Sequence, residues 1–563
     1  MSIDIETYRL KAQEAIEYVF VKEYHNSLGI PMPIVKMLLP DDANYSTGQY
    51  YITIDKTWQI HLNFGKLPIS YHEFQNKVKV LTRHEIEHYM CCPFDVITHF
   101  RMLKRIRDVY YKHFSHLGIN IEYACGAISN QAADIIVDTK NYYRHSKETL
   151  KSEIDWIKIG ANISACPRHC KLMFLTKEAI WKEDLGINET DPEFLKIVHQ
   201  LADSFTKNGI EDKSSFLDKV EEYAEIFFKL YVEDQKNPQQ SSQQGSQQQS
   251  GQQGSQQQSG QWGVGRPKDG DEHGNAFVFA DPDKVKEAIE VLAEETSVEE
   301  FIDLLAIAGI IGMSDKQKGV LWFNVQSANI IPIVEFSNTG NKSSYTYPSV
   351  WRIGDPIEEL DLMLTYMTSP RLIPGMTTKK WGYVSNDDNG TESKQMDLLL
   401  VVDTSGSMGS AMKESANMHQ AVLASYGILS YFESTKSKVA FIGFSDKIDA
   451  YVDWSDKYDD VRERLLTNGH GGTKFPISRI KSTLDVRSRD LVTVLITNGD
   501  LGNINESVSY FRDYLNDDNK LYIFLLGGSK SLHSYEPLKN IGAKIYNANN
   551  ANEFCDMVLT DME

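Results

Sequence analysis

The chain has 563 residues, of which 41% are hydrophobic and 24% charged, enough for about two to four domains with cores of ordinary size. Its 58 basic and 78 acidic residues give a net charge of −20, which argues against nucleic-acid binding because that requires clustered Lys and Arg. The apolar runs are too short for a membrane span, and the acidic start does not resemble a secretory signal. With only six scattered cysteines, these features predict a cytoplasmic protein without a disulfide framework.

One segment of low complexity divides the chain. Every residue from Gln239 to Gln261 is Gln, Ser or Gly. This composition cannot build a core, so it predicts a flexible tether between lobes, with a disordered loop inside one domain as the alternative. We expect an N-terminal lobe (1–235), a linker (236–274), an intermediate region of unknown role (275–394) and a C-terminal domain (395–563).

The N-terminal lobe is predicted to be α+β, with helices in excess. A helix over 5–24 precedes two β-branched apolar runs, 50–54 and 58–62, which predict strands. From Tyr71 the apolar spacing becomes helical. Long amphipathic stretches follow at 94–114, 129–143 and 217–232.

The predicted helix that begins at Tyr71 carries a metal-binding pattern, His84-Glu85-x-x-His88. Residues four apart share one face of a helix, so both imidazoles can bind one metal ion. Glu85 would then act as a general base toward water, as in zinc peptidases. Glu87 departs from the pattern, since most such peptidases have an uncharged residue there. A solvent-facing charged helix is the alternative interpretation.

A catalytic zinc site requires a third protein ligand. A His six residues after the motif would indicate a metzincin, but Phe94 occupies that position. Asp134 and Asp138 lie four apart in an apolar helical run, where buried carboxylates are costly unless they are paired or bind a metal. Their spacing matches the gluzincin arrangement, with Asp134 as ligand and Asp138 orienting a ligand histidine. His99 is a rival ligand, and caps or ion pairs are the alternative role for the two acids.

Beyond the tether, a helix is predicted over 283–305, and from Met396 apolar strands alternate with amphipathic helices. This alternation predicts a doubly wound, Rossmann-like α/β domain whose parallel sheet is covered on both faces. The predicted strands are 397–402, 438–444, 491–497, 520–526 and 543–546, and the predicted helices are 413–431, 458–466, 504–515 and 551–559.

The first of these strands leads into a turn that offers oxygen ligands. Asp403, Ser405 and Ser407 place one carboxylate and two hydroxyls on that turn. Doubly wound sheets bind ligands at the carboxyl ends of their strands, and Mg²⁺ prefers oxygen ligands. The sequence therefore predicts a magnesium site there.

This turn resembles the metal-ion-dependent adhesion site (MIDAS) of von Willebrand factor A (VWA) domains. The resemblance extends over 395–563, because 444–446 read Phe-Ser-Asp, Thr473 follows two glycines, and 497–500 read Thr-Asn-Gly-Asp where the family has Thr-Asp-Gly. It implies that Thr473 completes the magnesium site. Asn498 replaces an aspartate that in the family acts through water, so it retains a hydrogen bond and removes one negative charge. A partner's acidic residue would then complete the coordination.

The two motifs together resemble a group of bacterial metallopeptidase-like proteins that have a zincin-like N-terminal domain and a VWA-like C-terminal domain. Members of that group are similar to partners of MoxR-type AAA+ ATPases, which remodel other proteins or load cofactors into them. The resemblance implies such an ATPase partner. No Walker A pattern occurs in the chain, so ATP chemistry would come from the partner.

The sequence supports two hypotheses. In the first, the protein is a zinc-dependent peptidase that acts on a protein or peptide, and its VWA domain recruits the substrate or the AAA+ partner through Mg²⁺. In the second, it is a non-catalytic VWA adaptor that works with a MoxR-type ATPase in protein remodelling or bacterial stress or defence.

Overall fold

The computed structural model describes residues 5–38, 50–54, 59–64, 70–159, 163–236, 282–310, 313–328, 349–351, 360–361, 379–380, 396–487, 490–499, 501, 503–527 and 532–548. The chain forms two compact units, 1–295 with 303–311 and 296–302 with 312–563. It is therefore multidomain and combines helices with sheets that contain parallel strands, as predicted. The predicted tether, Asp500 and the predicted helix 551–559 lie outside the described residues.

The first unit is mainly helical. Its helices are α1 (Ile5–Tyr18), α2 (Tyr71–Met90), α3 (Val96–Val109), α4 (Ile121–Ile159), α5 (Arg168–Trp181), α6 (Pro192–Thr206), α7 (Phe216–Lys236) and α8 (Pro282–Glu295). Strands β1 (Ile34–Met37), β2 (Tyr50–Ile54) and β3 (Gln59–Phe64) form a sheet in the order β1-β3-β2. β3 pairs in parallel with β1 and antiparallel with β2. The sequence predicted β2 and β3 but not β1.

Helix α2 begins at a defined cap and packs into the core of this unit. Ser70 caps it by accepting a hydrogen bond from the backbone N–H of Glu73 at 3.3 Å, as in a capping box. Phe74, Val78 and Ile86 are fully buried in a cluster with side chains of α1 and of the sheet. The other buried face of α2 packs against α4. This packing positions the motif helix against the helix that carries the two predicted acids.

Helix α8 belongs to the first unit although it follows the predicted tether. It packs against α3, and the Arg101 guanidinium on α3 forms an ion pair with the Glu295 carboxylate on α8. From the sequence, this helix was expected to belong to the intermediate region (275–394). The helices before and after residues 237–281, α7 and α8, are therefore both parts of one unit.

The chain continues through α9 (Val298–Ile307) into the second unit, which contains a six-stranded sheet. Its helices are α10 (Asp315–Ala328), α11 (Asn417–Ser434), α12 (Tyr458–Leu465), α13 (Ile477–Leu484), α14 (Val508–Asn516) and α15 (Leu532–Lys539). Its strands are β4 (Ser349–Val350), β5 (Leu360–Asp361), β6 (Lys379–Lys380), β7 (Asp397–Asp403), β8 (Val439–Phe444), β9 (Ile448–Ser455), β10 (Leu491–Thr497), β11 (Lys520–Leu526) and β12 (Lys544–Ala548).

The large sheet has the order β12-β11-β10-β7-β8-β9, and only the β8–β9 pairing is antiparallel. Every residue of β7 is buried, so both faces of the sheet are covered. On one face Leu399 and Val401 share a core with Ile480, Phe511 and Tyr535 from α13, α14 and α15. The chain leaves β7 toward β8 on one side and returns to β10 on the other. Open α/β sheets bind ligands at such a reversal of strand order.

Within the described residues, no helix is both long enough and apolar enough to cross a membrane.

Candidate functional site

Three side chains from α2 and α4 meet in the first unit. The Nε2 atoms of His84 and His88 are 3.1 Å apart. Asp134 Oδ1 lies 3.2 Å from the Nε2 of His88 and 3.6 Å from that of His84. In the described part of the chain, this is the one group of His, Cys, Asp or Glu side chains close enough to share a metal ion. The structure thus brings together the three residues that the sequence proposed as ligands.

Hydrogen bonds on the far side of each imidazole determine which nitrogen faces the group. His88 Nδ1 lies 2.9 Å from the backbone carbonyl oxygen of Cys92, which can only accept, so this Nδ1 carries a hydrogen. His84 Nδ1 lies 2.7 Å from Asp138 Oδ1 and likewise donates to it. In neutral imidazoles both Nε2 atoms then present lone pairs to each other and to Asp134 Oδ1. Such an arrangement needs a positive charge between the three atoms.

The spacing of the three atoms fits a tetrahedral metal. Ligand atoms at 2.0–2.1 Å from a tetrahedral zinc ion lie about 3.3–3.4 Å from one another. The three distances, 3.1, 3.2 and 3.6 Å, are close to that value. Asp134 Oδ1 is buried and accepts no hydrogen bond in the described structure. The other oxygen, Oδ2, accepts one from the Asn130 amide at 3.1 Å, which leaves Oδ1 as the available ligand atom.

The electrostatics of the group favour a cation in the same place. Burial lowers the pKa of His84, but the charge and hydrogen bond of Asp138 outweigh it and raise this pKa to about 10. Burial raises the pKa of Asp138, but the charges of Lys177 and His84 outweigh it and lower this pKa below its usual value. The same field that would hold a proton on His84 would hold a metal ion.

A buried lysine that was not predicted from the sequence extends the group. Lys177 Nζ on α5 donates to Asp138 Oδ2 at 2.5 Å and to Glu153 Oε1 at 2.9 Å. The Lys177 side chain is only 2% exposed. Lys177 follows the apolar run 172–175, and this proximity is the one signal in the sequence that points to it, because a lysine on a buried helix face must be paired.

The two glutamates of the motif helix have different surroundings. Glu85 is half-buried, and its carboxylate accepts no hydrogen bond from the residues that the structure describes. It is therefore available to accept a proton from water. Glu87 is fully buried and contacts Tyr24 Oη at 2.9 Å, Lys140 Nζ at 2.9 Å and Arg144 Nη1 at 2.8 Å. The alternative of a solvent-facing charged helix is wrong, because the charge at Glu87 serves to hold α2 against α4.

The other predicted candidates of the first unit lie outside this group. His99 is not one of its members; burial, with a smaller effect of the charge on His88, lowers its pKa to about 4. The described cysteines form no disulfide and no metal-binding group. Cys555 lies outside the described residues.

In the second unit, the end of β7 forms a hydrogen-bonded turn. Asp403 is fully buried; its Oδ1 accepts a hydrogen bond from the backbone N–H of Ser405 at 2.9 Å, and its Oδ2 accepts one from Thr497 Oγ1 at 2.7 Å. The hydroxyls of Ser405 and Ser407 lie 3.1 Å apart, and Ser407 donates to Asn498 Oδ1 at 3.2 Å. The structure thus brings Asp403, Ser405, Ser407 and Asn498 to one edge of the sheet.

The loop that carries Thr473 lies against the same turn. The backbone N–H of Gly469 donates to the Thr404 carbonyl at 3.0 Å, and the N–H of Gly406 donates to the Gly471 carbonyl at 3.4 Å. A Cβ at Gly469 would lie 2.6 Å from that Thr404 oxygen, so this contact requires glycine. Thr473 is half-buried, and its hydroxyl forms no hydrogen bond with the described residues. The loop is therefore in place, but no contact of the Thr473 side chain joins it to Asp403.

Comparison with models of known protein families gives no match for this chain, and comparison with curated proteins gives none either.

Proposed function

We propose that the first unit is a zinc-dependent hydrolase of peptide bonds. The observation that carries the proposal is the set of three inward-facing ligand atoms, His84 Nε2, His88 Nε2 and Asp134 Oδ1, two of them on imidazoles whose tautomers are fixed by hydrogen bonds on the far side. Two nitrogens and one carboxylate oxygen form a typical set of protein ligands for catalytic zinc.

Each of these residues has a role in this proposal. Zinc bound to the three ligands would supply Lewis-acid polarisation of a peptide carbonyl. Glu85, half-buried and without a hydrogen bond in the described structure, accepts a proton from the attacking water and returns it to the leaving amine. Asp138 holds the imidazole of His84 in the tautomer that leaves its Nε2 available.

In the same proposal, the second unit binds the partner protein through Mg²⁺. Asp403, Ser405 and Ser407, with Thr473 on the adjacent loop, bind Mg²⁺ at the end of β7, and Asn498 supports Ser407. Only one carboxylate lies among these residues, so a carboxylate of the bound partner adds favourable charge to the site. The partner is the protein substrate or a MoxR-type AAA+ ATPase. The support for this part is the oxygen-rich turn at the switch in strand order together with the family resemblance.

The substitution Glu85→Gln tests the hydrolase role. It keeps the shape of the side chain but cannot accept a proton, so cleavage of an unfolded protein such as casein should fall by about 10²–10⁴-fold. Zinc content should stay at the wild-type level because Glu85 is not a ligand. Glu73→Gln, at a side chain that is 42% exposed in the first turn of the same helix, is the matched control and should cleave normally.

Cleavage at the wild-type rate by Glu85→Gln would contradict the role of Glu85. A wild-type protein that binds zinc with normal stoichiometry but cleaves nothing, alone or with its ATPase partner, would contradict the hydrolase and leave the adaptor hypothesis.

A further inference from the structure

The buried ion pair of Lys177 and Glu153 lies behind the proposed zinc site. Lys177 Nζ, on α5, donates to Glu153 Oε1 at 2.9 Å and to Asp138 Oδ2 at 2.5 Å, both on α4. Asp138 Oδ1 in turn accepts the hydrogen bond from His84 Nδ1 at 2.7 Å. A continuous chain of hydrogen bonds therefore runs from Glu153 to His84 Nδ1, on the imidazole whose Nε2 would bind the metal.

Each oxygen of Asp138 has its own partner in this chain. With Lys177 on Oδ2, only Oδ1 is left for His84, and the carboxylate cannot rotate without breaking a buried charge-assisted bond. The Lys177 side chain is only 2% exposed, so water cannot take its place at Oδ2. The orientation of the His84 imidazole is thus determined two contacts away from the imidazole itself.

The charges of the group support the same arrangement. When ionised, Asp134, Asp138 and Glu153 carry three negative charges and Lys177 one positive charge. With both imidazoles neutral, the buried group then has a net charge that one divalent cation balances. The Lys177–Glu153 pair is itself neutral, so it can hold Asp138 in place without changing the charge that faces the metal.

We infer that Lys177 is a positioning residue for the metal site, held by Glu153, and that it sets zinc affinity by fixing Asp138 and through it His84. The inference rests on the proposed function, because it assumes that His84 is a zinc ligand. Helix α5 would then contribute a residue to the metal site, although it lies outside the His84-Glu85-x-x-His88 motif.

The test is a charge-neutral double substitution, Lys177→Met with Glu153→Gln. It removes one positive and one negative charge together, so a change in zinc affinity reports positioning and not net charge. We expect zinc affinity of the full chain, measured by competition with a chelator of known affinity, to fall by about 10-fold, the lower end of the range for residues that orient a metal ligand.

A second ion pair on the same helix supplies the matched control. Lys171 Nζ on α5 contacts Glu189 Oε2 at 2.8 Å, and both side chains are 10% exposed. Lys171→Met with Glu189→Gln therefore removes a comparable buried pair that does not contact Asp138. We expect this control to keep zinc affinity within about twofold of the wild type. A mutant cycle with Asp138→Asn completes the design. In a chain that already carries Asp138→Asn, the pair Lys177→Met with Glu153→Gln should cause no further loss of zinc affinity.

If the double variant does not fold, Lys177→Arg carries the test, because it keeps every charge but not the position of the ammonium between the two acids. A threefold or larger loss of zinc affinity supports the inference, and wild-type affinity overturns it. Equal zinc affinity in the double variant and its control also overturns the inference while the proposed function stands. A wild-type chain that binds no zinc overturns both.

Discussion

The two candidate sites differ in the atoms that they offer and in the way these atoms are held. In the first unit, two imidazole nitrogens of His84 and His88 and one carboxylate oxygen face one another, and each side chain is fixed by a further hydrogen bond. In the second unit, the carboxylate of Asp403 is bound by a backbone N–H and a threonine hydroxyl, and the hydroxyls of Ser405 and Ser407 bind each other.

Under the proposed function, this difference in ligand atoms would let one chain bind two different ions. Nitrogen ligands in a tetrahedral arrangement favour zinc, and hydroxyl and carboxylate oxygens favour Mg²⁺, which keeps several waters. The first site is built from buried charges and should bind its metal without help. The second site has a single carboxylate among Asp403, Ser405, Ser407 and Asn498, so its cation should bind weakly until a partner adds a ligand.

The largest expected effect is the complete loss of one metal by a substitution that leaves the other metal site unchanged. His88→Ala removes one of the three proposed zinc ligands, so zinc in the dialysed protein should fall from about one ion per chain to about zero. Asp403→Ala should leave zinc unchanged but abolish the stabilisation by Mg²⁺, which for the wild type should be about 1–3 kcal/mol at 10–100 times the dissociation constant. Metal analysis and thermal unfolding with and without Mg²⁺ measure the two effects.

Each variant serves as the control for the other. If Asp403→Ala loses zinc, or if His88→Ala loses the response to Mg²⁺, the sites are not independent and the division by ligand chemistry fails.

A smaller effect is expected from adding a negative charge to the second site at position 498, where VWA domains usually have an aspartate. Asn498→Asp places a carboxylate where the Asn498 amide oxygen now accepts from Ser407 at 3.2 Å, and it should tighten Mg²⁺ binding by about 10-fold through the added charge. Calorimetric titration with Mg²⁺ measures this change. Asn516→Asp is the control, because Asn516 is exposed at the end of α14, and the helices of such a sheet end at the edge opposite the carboxyl ends of the strands. Unchanged affinity in Asn498→Asp would place the cation elsewhere.

The smallest effect concerns acid stability of the first unit. Burial lowers the pKa of His99 from 6.5 to about 4, so below pH 6.5 the unfolded chain binds a proton that the folded chain does not. The stability that neutral His99 contributes is complete above pH 6.5 and is lost as the pH falls toward 4. Because the ring is partly exposed, we expect a loss of about 1 kcal/mol between pH 7 and pH 5.

Urea unfolding at the two pH values measures this loss, and His99→Gln should reduce it. His113→Gln, which replaces an exposed histidine of the same unit, should not. An equal pH dependence in wild type and His99→Gln would show that other groups cause the loss.

The local sequence pattern was sufficient to predict an element where a single periodicity of apolar residues determines the structure. The predicted bounds of β2, β10 and β11 agree with the structure, because each is an apolar run rich in β-branched or aromatic residues. The spacing of His84 and His88, together with the match of Asp134 to the gluzincin arrangement, led to the group that the structure brings together, although the sequence left His99 as a rival ligand.

Features that depend on distant partners were not predictable in this way. Strand β9 was missed because it is a half-exposed edge strand that carries Asp449 and Asp453, so its apolar pattern is weak. Lys177 was missed because its burial depends on Asp138 and Glu153, which belong to another helix. No periodicity in α5 reports on the charge of a helix that packs against it.

Helices α7 and α8 belong to one unit, so the Gln/Ser/Gly segment between them connects two parts of one folded body. A connection between two parts of one folded body contributes mainly the entropy of closing a loop, which grows by only about 0.6 kcal/mol for each doubling of its length. The length of this segment can therefore vary widely at little thermodynamic cost. A protease that cuts within 239–261 should leave two fragments that stay associated until denaturant separates α8 from α3.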